Sequence, residues 1–442
     1  MAEKIDILEK YINNERRVDY TRYDPENICR LLKALGNPHE HLHGIHIAGT
    51  NGKGSVAHML DRMARESGYT CGLYTSPHLR EVNERIAVNG IAIPDHDLAE
   101  ILARIDTMAE NNSLEPTYFD VLTAAAFCHF ADRHCDIVII ETGLGGRMDS
   151  TSVFWPLCSV ITEISMDHAH ILGDTIEKIA AEKAGIIKSA VPVIAACSDP
   201  VATGVIEESA AIKNAPCMIM NRDFRVTRCA RTGSGYSFDL DMSNDRFIHG
   251  AEIRLNGRHQ VNNAAAAAAA MAVLRKKFPR ITDESIRRGL ENTVVPGRME
   301  TISASPLVMY DPAHNVAAVE SLIRTIADEF KGHTPVYIVS LMKDKDVHGI
   351  LDLLSGRGIA CVYYNLADPR AKIFSPGESP AIAAVYDNIR DLAGFINSPA
   401  DRRHIYIFCG SFRLYPVACS WKGTSPANKE NSLNQPDSGE IP

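Results

Sequence analysis

Seven consecutive residues, Gly49-Thr50-Asn51-Gly52-Lys53-Gly54-Ser55, bring together glycines, a lysine and two hydroxyls. An apolar run, Ile45 to Ala48, precedes them and reads as a buried strand. Val56, Met59, Leu60 and Met63 follow at helical spacing, with Gly68 as a stop. Strand, glycine turn and helix is the setting in which backbone N–H groups and the positive helix end cradle a phosphate. Lys53 is then placed to reach a terminal phosphate, and Ser55 to offer its hydroxyl to Mg²⁺. The spacing departs from the general P-loop. Two residues rather than four separate the first glycine from Gly52-Lys53, and Gly54 intervenes before Ser55. The alternative is a tight turn without a ligand.

A second chemical position is Glu141, at the tip of the apolar run Asp136-Ile137-Val138-Ile139-Ile140. A buried strand end is a costly place for an unpaired charge. A Mg²⁺ held opposite the glycine turn would satisfy it, since that ion takes oxygen ligands and phosphates. An ion pair with Arg147 or a helix cap would satisfy it too. Thr75-Ser76-Pro77-His78, Met166-Asp167-His168 and Asp311-Pro312-Ala313-His314-Asn315 also follow apolar runs. Open α/β sheets gather ligands at such strand ends.

The elements that must position these residues alternate between short apolar strands and helices. Strands are expected at Tyr69–Tyr74, Asp136–Glu141, Cys158–Glu163 and Val191–Ala196, with helices at Thr117–Ala131 and ahead of Ala184-Gly185. Residues 5–35 read as helical, interrupted at Tyr20-Thr21-Arg22-Tyr23. Residues 217–256 alternate without helical period and read as a small antiparallel patch. The alanine run Ala264 to Ala270 marks a helix whose smooth face permits close packing. After Val294-Val295-Pro296-Gly297-Arg298 the alternation restarts, with strands at Leu307–Tyr310, Pro335–Leu341, Ile359–Tyr364 and Arg403–Phe408. The expected fold is α/β: a P-loop-type, mostly parallel sheet domain with a small antiparallel patch over 1–297, a smaller Rossmann-like domain over 298–421, and a disordered polar tail over 422–442.

A chain of 442 residues is long for one core, which supports two domains. A net charge of −9 without a basic tract argues against nucleic acid as a partner. No apolar run reaches membrane-spanning length, and residues 1–17 carry no signal-peptide core. Eleven cysteines without a C-x-x-C pair suit reduced core thiols in a cytoplasm. A monomer acting on small molecules is expected.

Taken together, GTNGKGS (49–55), TSPHL (75–79), ETGLGGRMDST (141–151), MDHAHILG (166–173), EKAGIIK (182–188), GRHQVNNA (257–264), PGRME (296–300), DPAHN (311–315) and MKDKD (342–346) resemble the folylpolyglutamate synthase and dihydrofolate synthase family of the Mur ligase superfamily. TSPHL and the DPAHN turn point to its folate branch rather than to the cell-wall precursor ligases. The resemblance implies that Thr50, Asn51, Gly52, Lys53, Gly54 and Ser55 wrap the phosphates of ATP, and that Ser76, Glu141 and His168 hold Mg²⁺. It implies a carbamylated Lys183, ATP contacts from Asn263, Arg298 and Asp311, and a place for His314 near the phosphates. Thr117, Tyr118, Phe119, Asp120, Asp149 and Ser150, with Thr21 and Arg22, would border the pterin of folate or dihydropteroate. Three positions depart from the family pattern: Pro312 replaces a glycine, Ser150 an alanine, and Asp120 a glutamate.

These readings converge on one chemistry. A carboxylate cannot form an amide directly, because O⁻ leaves poorly. Phosphoryl transfer from ATP gives an acyl phosphate, which the amine of L-glutamate attacks. Lys53 and Mg²⁺ would spread the charge on the transferred group, and closure of two lobes through Arg298 and Asp311 would exclude water. The rivals are a Mur-type cell-wall amino-acid ligase, a P-loop ATPase switch without ligase activity, and a binding protein without turnover.

Overall fold

The structure, a computed structural model, describes residues 7–12, 25–242, 245–359, 361–398 and 403–421. Thr21, Arg22 and the 422–442 segment expected as a tail lie outside the described residues. The chain divides into two compact units, Met1–Val295 and Pro296–Pro442.

The first unit is built on an eight-stranded sheet. Its strands are β1 (Gly44–Ala48), β2 (Cys71–Tyr74), β3 (Ile86–Val88), β4 (Ile91–Ala92), β5 (Ile137–Glu141), β6 (Cys158–Ile161), β7 (Val193–Ala195) and β8 (Cys217–Ile219). They lie in the order β4-β3-β2-β5-β1-β6-β7-β8. From β2 to β8 all pairs are parallel, while β3 and β4 form an antiparallel edge. Strands 1, 2, 5, 6 and 7 are wholly buried, as expected for a parallel sheet covered by helices on both faces. Register aligns their carboxyl ends: Ile47 pairs with Glu141, Tyr74 with Ile140, and Ala48 with Ile161. The turns after β1, β2, β5 and β6 therefore emerge along one edge.

One face of this sheet packs on the helices Lys53–Glu66, His259–Leu274 and Asp283–Glu291, the other on Glu26–Ala34, Asp95–Asn111 and Tyr118–Asp132. Ala264 to Ala270 are fully buried. A Cβ on Gly289 would stand 2.5 Å from Met63 Cα, so two helices touch at backbone distance there. Strands β9 (Phe224–Arg231), β10 (Tyr236–Met242) and β11 (Asp245–Ile253) form a separate antiparallel sheet, as expected for this region. Cys217–Ile219 corrects the expectation at its start, because it joins the main sheet as β8.

The second unit is a six-stranded sheet in the order β12-β13-β17-β14-β15-β16. Its strands are β12 (Glu300–Ala304), β13 (Leu307–Tyr310), β14 (Thr334–Val339), β15 (Cys361–Tyr364), β16 (Ile382–Tyr386) and β17 (His404–Cys409). Only β12 runs antiparallel. Tyr310 pairs with Phe408, which places the turns after β13 and β17 side by side.

Candidate active site

Gly52 opens the helix Lys53–Glu66 at φ 94°, with no side chain capping the helix start. The first backbone bond runs from Val56 N to Gly52 O. By helix geometry, the N–H groups of the first turn have no acceptor within the helix, and an anion satisfies them. The preceding turn is fastened to the segment after β6. Thr50 N and Asn51 N donate to Glu163 O, Thr50 Oγ1 exchanges hydrogen bonds with the Ser165 backbone, and Asn51 Nδ2 donates to Ser165 Oγ. The backbone N–H groups of Thr50 and Asn51 are thus engaged within the protein. Ser165 was not anticipated, although its place just past a strand was a legible signal. A Cβ on Gly52 would sit 2.5 Å from Asn263 Oδ1, so only glycine lets the turn and this buried asparagine meet.

Two lysines converge on one carbonyl. Lys53 Nζ donates to Gly49 O at 3.0 Å and Lys183 Nζ at 2.9 Å. Lys183 is buried, and burial followed by repulsion from Lys53 lowers its pKa to about 7, against the opposing pull of Asp167, Asp149 and Glu182.

Glu141 is 4% exposed at the end of β5, and its Oε2 accepts from Ser76 N at 3.1 Å. Arg147 pairs instead with Glu182, at 2.5 Å, which disposes of the Glu141–Arg147 alternative. His168 sits in the left-handed region at φ 49°, an uncommon conformation for a non-glycine residue, with Nε2 3.8 Å from Asp167 Oδ1. Among the described residues no three His, Cys, Asp or Glu side chains form a metal cage. Mg²⁺ ordinarily uses one or two protein ligands plus phosphates, so Ser76 and Glu141 fit it without such a cage.

The residues expected to border a pterin fall into two layers. Thr117 and Asp120 form a capping box at the start of Tyr118–Asp132, and Ser150 Oγ donates to Asp120 Oδ1 at 2.7 Å. All three are buried. Asp149 is also buried, accepting from Leu144 N and Thr151 N, and from the Thr151 hydroxyl. Phe119 and Tyr118 are half-buried; the Arg85 guanidinium lies over the Tyr118 ring. A Cβ on Gly143 would stand 2.5 Å from Phe119 Cζ. The aromatic pair is the more exposed of the two layers, and the carboxylates and hydroxyls hold the loop beside it.

In the second unit, Asp311 follows β13 and accepts from Met299 N and Ala313 N. The missing N–H of Pro312 therefore leaves this turn closed by its own aspartate. Arg298 lies over the Phe412 ring at 5.4 Å, and the His314 ring is 5.8 Å from that same ring. Phe412 was not anticipated; the Gly410-Ser411 turn just before it was the signal.

An uncapped glycine turn on a parallel strand, with a carboxylate at the neighbouring strand tip, fits a nucleotide-dependent α/β enzyme, and residues 47–271 match the family described as Mur ligase middle domain. The dihydrofolate synthase/folylpolyglutamate synthase of Bacillus subtilis is 38% identical over 78% of this chain and 81% of its own length. The folylpolyglutamate synthase of Lacticaseibacillus casei is 36% identical over the same shares. Among solved structures, Mycobacterium tuberculosis folylpolyglutamate synthase complexed with ADP and AMPPCP superposes with a TM-score of 0.84 at 30% identity, covering 96% of this chain and all of that one. A folylpolyglutamate synthase–AMPPCP–folate complex gives 0.82 at 32%, with the same coverage. The chain belongs to the folylpolyglutamate synthase/dihydrofolate synthase family of Mur ligases.

Proposed function

We propose that this protein joins the amine of L-glutamate to the carboxylate of a folate or dihydropteroate, using ATP and releasing ADP and phosphate. The observation that carries the reading is the convergence of Lys53 and Lys183 on the Gly49 carbonyl beneath an uncapped helix start, with Glu141 on the adjacent strand tip. The relatives that bear these activities in their names supply the substrate class.

In this reading Thr50 to Ser55 and Asn263 hold the ATP phosphates, and Arg298, Asp311 and His314 of the second unit contact the nucleotide. Ser76, Glu141 and His168 would hold Mg²⁺, which neutralises phosphate charge when bound. Lys53 stabilises charge on the γ-phosphoryl group as the substrate carboxylate attacks it. Phe119 and Tyr118 offer ring faces to the pterin. Lys183, as a neutral amine, adds to CO₂ through its nitrogen and releases one proton, leaving a carbamate that extends the anionic side of the site. No helix among the described residues is long and apolar enough to cross a membrane. A cytoplasmic monomer with no nucleic-acid or membrane partner completes the proposal.

The test is a product assay. Pure protein is incubated with ATP, Mg²⁺ and glutamate, and dihydropteroate and tetrahydrofolate are offered in parallel. The expected result is a product heavier by one glutamyl residue and one phosphate released per bond. ATP hydrolysis that ignores both pterin acids, or turnover only with a nucleotide-sugar acceptor, overturns the reading.

A further inference from the structure

His46 lies in the middle of β1, fully buried between Ile140 and Ser159 of the neighbouring strands. Its strand neighbours Ile45 and Ile47 belong to the core on one face of the sheet. By strand alternation His46 points to the other face, where Phe154 packs edge-on at 6.2 Å. Nε2 is 2.8 Å from Thr151 Oγ1, and Nδ1 is buried without a hydrogen-bond partner. The Thr151 hydroxyl in turn donates to Asp149 Oδ1.

With Asp149 as the carboxylate, the proton count along this chain has one solution. A threonine hydroxyl carries one proton, and that proton goes to Asp149. The Thr151 oxygen can then only accept, so His46 Nε2 must carry a proton. The imidazole is neutral, with a bare Nδ1. Burial, assisted by Lys188, pushes its pKa down to about 3, consistent with a ring that stays uncharged. An unpaired Nδ1 inside an apolar layer is unfavourable, and an aliphatic side chain would avoid it. What the histidine adds is the Nε2–H donor aimed at Thr151.

That donor acts on a loop of the site. The Thr151 hydroxyl is held from both sides, and Asp149 Oδ1 accepts from both Thr151 N and Oγ1. Asp149 Oδ2 then accepts from Leu144 N, closing the turn of residues 144–149 next to Gly143, which lies against Phe119. The same carboxylate is one of the groups acting on Lys183.

We propose that His46, as its neutral Nε2–H tautomer, is a positioning residue that acts through Thr151 and Asp149 to hold the 143–150 loop in place for the pterin acid. The inference rests on the ligase reading for the identity of that substrate, while the tautomer and the chain of hydrogen bonds stand independently of it.

The experiment pairs spectroscopy with kinetics. Nitrogen–proton correlation NMR on the full-length protein with labelled histidine is expected to show His46 protonated at Nε2 alone. His46→Leu removes the donor and is expected to raise KM for the pterin acid roughly ten-fold or more, with KM for ATP little changed. His46→Gln, whose amide N–H can replace the donor, restores most of the difference. Thr151→Val reproduces the leucine effect, and the double variant is no worse than either single one, because both break one chain. A proton on Nδ1, equal impairment by leucine and glutamine, or a parallel rise in KM for ATP overturns the proposal. If the leucine variant fails to fold, the tautomer and the comparison of His46→Gln with Thr151→Val decide the matter. Wild-type protein that uses no pterin acid sinks the ligase reading; wild-type turnover with the wrong tautomer sinks this one.

Discussion

Ser150 and Asp120, two of the three positions expected from the resemblance to depart from the family pattern, meet. The serine hydroxyl donates to the Asp120 carboxylate, which the resemblance expects to be a glutamate, one methylene longer. Removing the donor from a buried, charged acceptor costs about 1–3 kcal/mol. Ser150→Ala is therefore expected to lower the unfolding midpoint by several degrees in calorimetry. Adding Asp120→Glu should recover part of that loss, through a coupling of about 0.5 kcal/mol or more. Additive losses in the double variant would mean that the two positions do not compensate. Lys183 carries a second prediction. Its pKa falls from 10.5 to about 7 on folding, so its burial opposes folding fully below pH 7, where both states are protonated. The opposition fades between pH 7 and 10.5, where the folded amine is neutral and the unfolded one still charged. Lys183→Met should thus stabilise the protein at pH 6 by on the order of 2–4 kcal/mol, with the gain vanishing towards pH 10, while ligase turnover is lost. In the wild type, uptake of carbon-labelled bicarbonate into a carbamate should rise with pH through about 7, followed by NMR.

The strand–turn–helix unit of residues 44–66 was legible because each part has its own signal: a short apolar run, positive-φ glycines, and helical spacing behind them. Gly52 concentrates that dependence. Alanine there would meet Asn263 Oδ1 at 2.5 Å and strain a backbone held at φ 94°. Gly52→Ala should destabilise the protein by roughly 1–3 kcal/mol and raise KM for ATP at least ten-fold. An unchanged KM would show that the turn relaxes without losing its ligand geometry. Other elements were not legible for equally physical reasons. β3 and β4 are three and two residues long, too short for an alternation pattern. Cys217–Ile219 stands directly before the antiparallel sheet, and three residues do not reveal which sheet they join. The burial of Asp120, Asp149 and Ser150 could not be read from their polar side chains. It follows from a capping box between Thr117 and Asp120, a Ser150–Asp120 hydrogen bond across 30 positions and an Asx-type turn across two. These hydrogen bonds hold the loop beside Phe119.

Each unit of the molecule has its own apolar core. Met299, Met309, Tyr337, Tyr363 and Ile407 belong to the core of the second, and the three other clusters lie wholly within the first. Ligand binding can therefore be followed at the level of the whole chain. A ligand that binds only the folded state stabilises it by RT ln(1 + [L]/Kd), about 2.7 kcal/mol at a hundred-fold excess over Kd. A non-hydrolysable ATP analogue with Mg²⁺ should raise the unfolding temperature of the wild type, and Lys53→Ala should remove most of that rise. If Asp311 contacts the nucleotide as proposed, Asp311→Ala should also diminish it. That loss has to be separated from damage to the turn itself, since Asp311 accepts from Met299 N and Ala313 N. Asp311→Asn keeps one acceptor oxygen and removes the charge, so it separates turn closure from nucleotide contact. A full analogue-induced shift in both Asp311 variants would show that the second unit contributes no carboxylate to the ATP site. A shift lost in both, with the ligand-free unfolding temperature unchanged in the asparagine variant, is the outcome the proposed function requires.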